Sequence, residues 1–290
     1  MIIKGQGRGD GGKLMKQIAL ATVLLATALQ SSSIRAADLP TKAINPPASW
    51  TGFYSGLGVG IHATEVVART ISVTENGVPD LCPNGGQCFY SHSVNGTQFR
   101  FSFYGGFNWQ LGSSFLIGIE GDGGWARKSN GITGTALPGG PFLASGFDTD
   151  RYSINTVWDA SARLRGGYLV TPSFLMYATG GAAWLNFSST LTCGPDPVGT
   201  CAFPVPAFTR TTSVTKIGWT VGGGIETKVL PHILMRGEYR FSDFGNVHFT
   251  ENVNANGVFN IINYQVHPRT QTALLGLAYL FGSEIQIREP

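Results

Sequence analysis

Between Trp50 and Phe281 apolar and polar positions alternate in eight separate stretches, with the two-residue period of a β-strand. The clearest is Trp158–Val170, W-D-A-S-A-R-L-R-G-G-Y-L-V. Trp158, Ala160, Ala162, Leu164, Tyr168 and Val170 fall on one face, and Asp159, Ser161, Arg163 and Arg165 on the other. Alternation alone says that one face meets apolar surroundings and the other polar ones. In a soluble sandwich the apolar face is the core; in an outer-membrane barrel it meets lipid and the charges line the interior.

The other stretches are 51–62, 97–109, 115–125, 174–188, 214–228, 233–241 and 269–281. In 97–109 Phe99, Phe101, Phe103, Phe107 and Trp109 oppose Arg100, Ser102, Tyr104 and Asn108. In 51–62 Phe53, Leu57, Val59 and Ile61 oppose Tyr54, Gly56, Gly58 and Gly60, a glycine-lined face suited to a crowded interior. Stretch 174–188 alternates least cleanly: Leu175, Tyr177, Ala183, Leu185 and Phe187 form its more apolar face, against Met176, Ala178 and Trp184.

Short turns (110–114, 171–173, 229–232) alternate with long polar segments (63–96, 126–152, 189–213, 242–268). Short periplasmic turns and long external loops mark outer-membrane barrels, whereas soluble eight-stranded barrels have no need of that alternation. With the N-terminus on the periplasmic side, Trp125, Trp158, Phe187 and Trp219 lie at the external ends of their strands. Phe53, Trp109, Tyr168, Tyr177, Tyr279 and Phe281 lie at the periplasmic ends. Two levels of rings match the girdles that amphipathic aromatics form at membrane interfaces. The expected fold is all-β: an eight-stranded antiparallel up-and-down transmembrane β-barrel over 51–281.

Composition agrees. Charged residues make up 13% of the chain, about half the share of a soluble domain. No apolar run of the ~18 residues needed for a spanning helix follows the N-terminal segment. That segment reads as a signal peptide, 1–36: Lys13 and Lys16 precede the apolar run Ile18–Leu29, and Ala36 is its last residue. Met15-Lys16 is a more natural start than Met1. Residues 37–50 form a periplasmic linker, and 282–290 a C-terminal extension. Cleavage removes five bases and one acid, leaving 15 basic and 16 acidic residues, so the net charge of +3 belongs to the precursor and argues for no nucleic-acid partner. Cys82 and Cys88 share one polar segment, and Cys193 and Cys201 another, at spacings unlike zinc sites. In an oxidising compartment they are disulfide candidates; pairing within each segment is the economical arrangement, and cross-pairing is the alternative.

Several motifs resemble the small alphaproteobacterial outer-membrane barrel proteins of the opacity-protein-like class. They are Trp50-Thr51-Gly52-Phe53-Tyr54, Gly106-Phe107-Asn108-Trp109-Gln110, Gly118-Ile119-Glu120-Gly121-Asp122, Tyr177-Ala178-Thr179-Gly180-Gly181, Gly218-Trp219-Thr220-Val221-Gly222 and Glu238-Tyr239-Arg240, with Ala37-Asp38-Leu39-Pro40 at the mature start. The resemblance covers the whole barrel. It implies that the outer-membrane assembly machinery reads the last strand, where Gly276, Tyr279 and Phe281 keep the family spacing. Gly282–Pro290 runs past that signal, and Leu274 stands where a polar residue is usual. Members are often labelled porins, although true porins have about sixteen strands.

The candidate chemistry is the set of inward charges: Glu120, Asp122, Asp159, Arg163, Arg165, Glu226, Arg236, Glu238 and Arg240. They could line an ion path. An eight-stranded barrel, however, is just wide enough to be filled by side chains, and both signs are present, so a salt-bridged plug is expected. A lipid-modifying enzyme would need a Ser/His/acid set at one level. His232 falls in a periplasmic turn, and His62, His92, His248 and His267 in or beside external loops, none with a nucleophile motif. Asp243-Phe244-Gly245 resembles a kinase triplet without its companions, and Gly56–Gly60 leads into no helix, so it is no dinucleotide loop. No cofactor or metal is implied. The expectation is a structural and surface-contact role in the envelope, with outer-membrane lipids, the assembly machinery and an unidentified external ligand as partners. A narrow passive channel is the rival, and a lipid-modifying enzyme comes third.

Overall fold

A computed structural model of the chain describes residues 49–75, 77–79, 91–133, 151–193, 208–255 and 258–281. The signal segment, most of the linker, the C-terminal extension, Cys82, Cys88, Cys201 and the side chain of Cys193 lie outside the described residues. The strands are β1 (Gly52–Glu75), β2 (Val78–Pro79), β3 (Ser91–Leu111), β4 (Phe115–Thr133), β5 (Arg151–Thr171), β6 (Phe174–Cys193), β7 (Phe208–Leu230), β8 (Ile233–Asp243), β9 (Val247–Ala255) and β10 (Val258–Leu280). Eight form an antiparallel ring in the order β1-β3-β4-β5-β6-β7-β8-β10, closed by β1 on β10 from Tyr54↔Leu280 to Glu75↔Asn260. β2 is a short hairpin return on β1, and β9 follows β8 along β10. Closure leaves no unpaired edge in the lipid-level wall, where an unsatisfied backbone group would cost several kcal/mol.

The two faces are inverted relative to a soluble protein. Leu164 is 69% exposed, while its neighbours Arg163 and Arg165 are 4% and 3% exposed. Phe99, Phe103, Ile117, Ile119, Ile217 and Leu277 are likewise exposed around the wall. Water on that surface would expel the apolar side chains and solvate the arginines; lipid does the reverse. Trp109, Tyr168, Tyr279 and Phe281 face outward at the turn end of the strands, and Trp125 and Trp219 at the opposite end. Trp158 is half-buried and pairs with Trp125.

Two expectations are corrected. First, the strands outrun the alternating stretches on the external side, by as much as β1 continuing from His62 to Glu75. About 9–11 residues cross a bilayer, so lipid imposes alternation only there. Backbone pairing continues beyond, where side chains pair by hydroxyls: Thr190 meets Thr211 at 3.0 Å, and Thr209 donates to Thr192 at 3.4 Å.

Second, β6 faces the other way. Tyr177 (6% exposed) and Phe187 (2%) are inside, so neither belongs to a girdle, and Met176 is outside. Tyr177 donates to Glu238 Oε2 at 2.8 Å and covers Gly224, where a Cβ would lie 2.7 Å from its hydroxyl oxygen. A buried phenol needs a partner, and the interior supplies one where lipid cannot. Tyr177→Phe is therefore expected to lower stability by about 1.5–3 kcal/mol, the worth of a hydrogen bond to a charged group. Urea unfolding of vesicle-inserted protein measures it; a girdle tyrosine would make the change nearly neutral.

Candidate functional site in the barrel interior

Alternation aims one residue in two at the axis, so the site is a set of rows contributed by different strands. β3 supplies Arg100; β4 Glu120 and Asp122; β5 Asp159, Ser161, Arg163 and Arg165; β7 Glu226; β8 Arg236, Glu238 and Arg240. All are at most 9% exposed. In-register neighbours bring Glu120 beside Arg163 and Glu226 beside Arg236. Ser161–Asp122 and Arg100–Asp122 also join neighbouring strands, whereas Arg163–Glu238, Arg165–Glu226, Arg236–Glu120 and Arg240–Asp122 join strands that are not neighbours in the ring.

Glu120 is the hub of the inner half. Its Oε1 accepts from Arg163 Nη2 at 2.5 Å, and its Oε2 from Arg236 Nη2 at 2.5 Å and the Tyr54 hydroxyl at 2.6 Å. Arg163 also donates to Glu238 at 2.7 Å, and Arg165 to Glu226 at 2.6 Å and the Tyr54 oxygen at 2.9 Å. The guanidinium of Arg165 lies 4.2 Å from the Tyr177 ring centre, and that of Arg236 lies 4.0 Å from the Tyr104 ring centre. Cation–π contact of this kind is strengthened by desolvation.

Asp122 and Asp159 organise the outer half. Arg100 grips Asp159 with two parallel bonds, Nε to Oδ1 at 2.9 Å and Nη2 to Oδ2 at 2.7 Å, and reaches Asp122 at 2.7 Å. Arg240 donates to Asp122 at 2.6 Å, and Ser161 also donates to Asp122. Gly124 makes this possible, because a Cβ there would occupy the space of the Arg100 guanidinium. Arg100 was not among the nine expected charges. Its signal was legible, since it stands on the polar face opposite five aromatic rings.

Among the described residues the buried layer holds five arginines and five carboxylates, so formal charge cancels. Every one of these arginines bonds a carboxylate within 2.7 Å. Apolar layers close the rows above and below. At the turn end lie Trp50, Tyr54, Leu116, Leu169, Leu175, Leu234 and Leu280. At the external end lie Val66, Ile154, Leu185, Phe187, Phe249, Tyr264 and Val266. A cavity of about 10 Å³ borders the charged layer, lined by Gly58, Ser102, Tyr104, Arg236 and Gly276 among others. It has room for about one water.

The histidines fall in separate places. His62 is inside, 1% exposed, with Nδ1 3.0 Å from the Thr272 hydroxyl. That corrects its assignment to a loop margin, because β1 extends well past it. His232 stacks on Tyr279 in the turn, His248 is exposed on β9, and His267 meets Asp243 at 2.8 Å. The side chain of His92 lies outside the described residues.

With the geometry in view, the chain can be set beside known proteins. Residues 19–281 match the model of a family described as the outer membrane protein beta-barrel domain. The 31 kDa outer-membrane immunogenic protein of Brucella melitensis is 28% identical over 244 residues, covering 80% of this chain and 88% of that protein. The structure of OprG from Pseudomonas aeruginosa is similar at a TM-score of 0.51 and 11% identity, covering 82% of this chain and 100% of that one. The outer membrane protease OmpT of Escherichia coli is similar at 0.50 and 11%, covering 79% and 97%. At such identities the two structures show the fold alone.

Proposed function

We propose that this chain, which belongs to the outer membrane protein beta-barrel domain family, serves the outer membrane as a closed structural element with an external contact surface, and not as a pore. One observation carries the reading: the charge-balanced layer of buried arginines and carboxylates between two apolar layers. An ion path needs water and charges free to meet the ion. Here each arginine is already held by a carboxylate, and a permeating ion would have to break desolvated pairs.

The same pairing argues against catalysis at this level, because a carboxylate locked to arginines is a poor general base. The OmpT likeness is one of fold and transfers no activity. The exposed apolar band would be covered by outer-membrane lipids, and Gly276, Tyr279 and Phe281 would serve the assembly machinery during insertion. The strands that rise past the external girdle would carry contacts with other molecules. The name of the Brucella relative, an outer-membrane immunogenic protein, fits a protein displayed at the surface.

Planar-bilayer conductance of the refolded mature protein tests this. The wild type is expected to stay closed, and Arg163→Ala and Arg236→Ala to lower stability without steady openings. Steady wild-type openings whose ion selectivity changes with either arginine would make the protein a narrow channel instead.

A further inference from the structure

The external wall opens into a slot between β7 and β9. β7 pairs with β6 from Phe174↔Thr227 out to Cys193↔Phe208, but with β8 no further out than Trp219↔Asp243. β9 pairs with β10 alone, from Val266↔Val247 to Val258↔Ala255. Residues 208–218 of β7 and the nine residues of β9 therefore flank each other with no ladder between them. β4 with β5 and β5 with β6 are paired at this height, as at Thr133↔Arg151 and Arg151↔Thr192, while the β3–β4 ladder also stops early, at Phe101↔Trp125.

The Asp243-Phe244-Gly245 triplet is the cause. Asp243 faces Arg269 on β10, and Val247 faces Val266, so the β8–β9 side carries one residue more than β10 over this step. Such a bulge bends the strand that carries it. Gly245 takes a φ of +63° that favours glycine, and its N–H donates to Asp243 Oδ1 at 2.8 Å. Asp243 is also held by His267 at 2.8 Å and by Arg269 at 3.0 Å. Pro268 has no N–H for the ladder, and its carbonyl accepts from Phe244 at 3.1 Å. The offset is thus pinned from both strands.

Exposure follows the slot. On the inward row of β7, Thr212, Val214 and Lys216 are only half-buried, whereas Phe187 on β6 and Tyr264 and Val266 on β10 are buried. Val214 packs on the upper apolar cluster, to which β9 contributes Val247 and Phe249. The outward rows are polar: Thr211, Ser213 and Thr215 on β7, and His248 and Thr250 on β9.

We infer that this slot is a strand-addition site, which takes an extended polypeptide segment with apolar residues alternating with hydroxyl-bearing or polar ones. Open strand edges recruit other strands unless something blunts them. Of the described inward side chains Thr212, Val214 and Lys216, Lys216 alone is charged. An acyl chain could cover Val214 but offers nothing to backbone N–H and C=O groups. Those groups stand outward of Trp219, where water serves them until a second backbone replaces it. The inference deepens the surface-contact reading and rests on it. Conductance tests the closed interior, and the measurement below tests the slot alone.

The probe is a synthetic copy of Val247–Ala255, V-H-F-T-E-N-V-N-A, the segment that would adjoin β7 in a fully paired wall. Val247, Phe249, Val253 and Ala255 fall on one row, interrupted by Glu251, and His248, Thr250, Asn252 and Asn254 on the other. Amide hydrogen exchange is followed over 209–217 in the mature protein in nanodiscs. Without peptide, alternate amides are expected to exchange fast, since neighbouring amides point to opposite edges and only one set pairs with β6. The peptide is expected to slow the fast set about tenfold, the worth of a modest hydrogen bond, and a scrambled peptide to leave it fast. Thr212→Pro and Ser213→Pro form a matched pair, because one removes a donor on the β6 side and the other a slot-facing donor. The slot-side variant should stay folded and lose the protection. Slow exchange of both sets before peptide is added would overturn the inference, as would equal effects of the two peptides. Protection by diheptanoylphosphatidylglycerol in place of peptide would assign the slot to lipid and overturn it as well.

Discussion

Glu120→Ala is expected to destabilise the barrel by about 3–5 kcal/mol, the cost of removing one partner from a buried ion pair. Glu120 accepts from Arg163, Arg236 and Tyr54 and lies 3.6 Å from Arg165 Nη1. Without it, five buried arginines face four carboxylates, and none of the orphaned donors can reach bulk water through the apolar layers. The measurement is urea unfolding of vesicle-inserted protein followed by tryptophan fluorescence. Glu120→Met with Arg163→Met in one chain should lose less than the two single changes summed, because deleting both ends of a pair removes the unpaired charge. A loss below about 1 kcal/mol for Glu120→Ala, as at exposed pairs, would mean that the interior is hydrated, and the closed-barrel reading would fall with it.

Trp50→Ala carries an expected loss of similar size, about 3–5 kcal/mol for a large aromatic removed from a packed site. Trp50 is fully buried at the turn end. Its indole N–H donates to Pro172 O at 3.0 Å, and its backbone N–H to Gln110 Oε1 at 2.9 Å. Lys228 lies over the ring at 4.8 Å and bonds Ser49 O at 3.0 Å. The indole thus joins the Pro172 turn and the Lys228 end of β7, while the backbone of Trp50 holds the Gln110 turn. Conductance should stay absent in the variant, because the charged layer remains beneath the missing ring. Steady current in Trp50→Ala would identify the indole as the seal and the charged layer as permeable.

The membrane-level fold was legible because lipid enforces a local rule. Each residue of a lipid-crossing strand faces either hydrocarbon or the crowded interior, so alternation, short turns and ring levels are written along the chain. The exceptions have a physical reason. On β6 both faces are apolar, with Leu175, Leu185 and Phe187 on one side and Met176 and Trp184 on the other, and period alone cannot choose between them. The choice was made by Glu238 on β8, which offers the Tyr177 hydroxyl an acceptor only if that face turns inward. Beyond the girdle the local rule ends, so Thr- and Ser-rich segments that read as loops continue as strands held by their neighbours' backbones.

By itself the sequence determined that the chain crosses an outer membrane as an eight-stranded barrel with paired charges aimed at its axis, because strand period and turn length are local properties. Only the tertiary structure decided which charges meet: Arg163 on β5 reaches Glu238 on β8, and Arg100 on β3 reaches Asp159 on β5. Those contacts join strands that are not neighbours in the ring, over β6 and β7 in the first case and over β4 in the second, so they depend on the curvature and register of the whole sheet. The slot between β7 and β9 has the same origin, since an extra residue at Asp243–Val247 has consequence only against the register of β10. Register between strands far apart in sequence is a property of the closed sheet, and no single strand carries it.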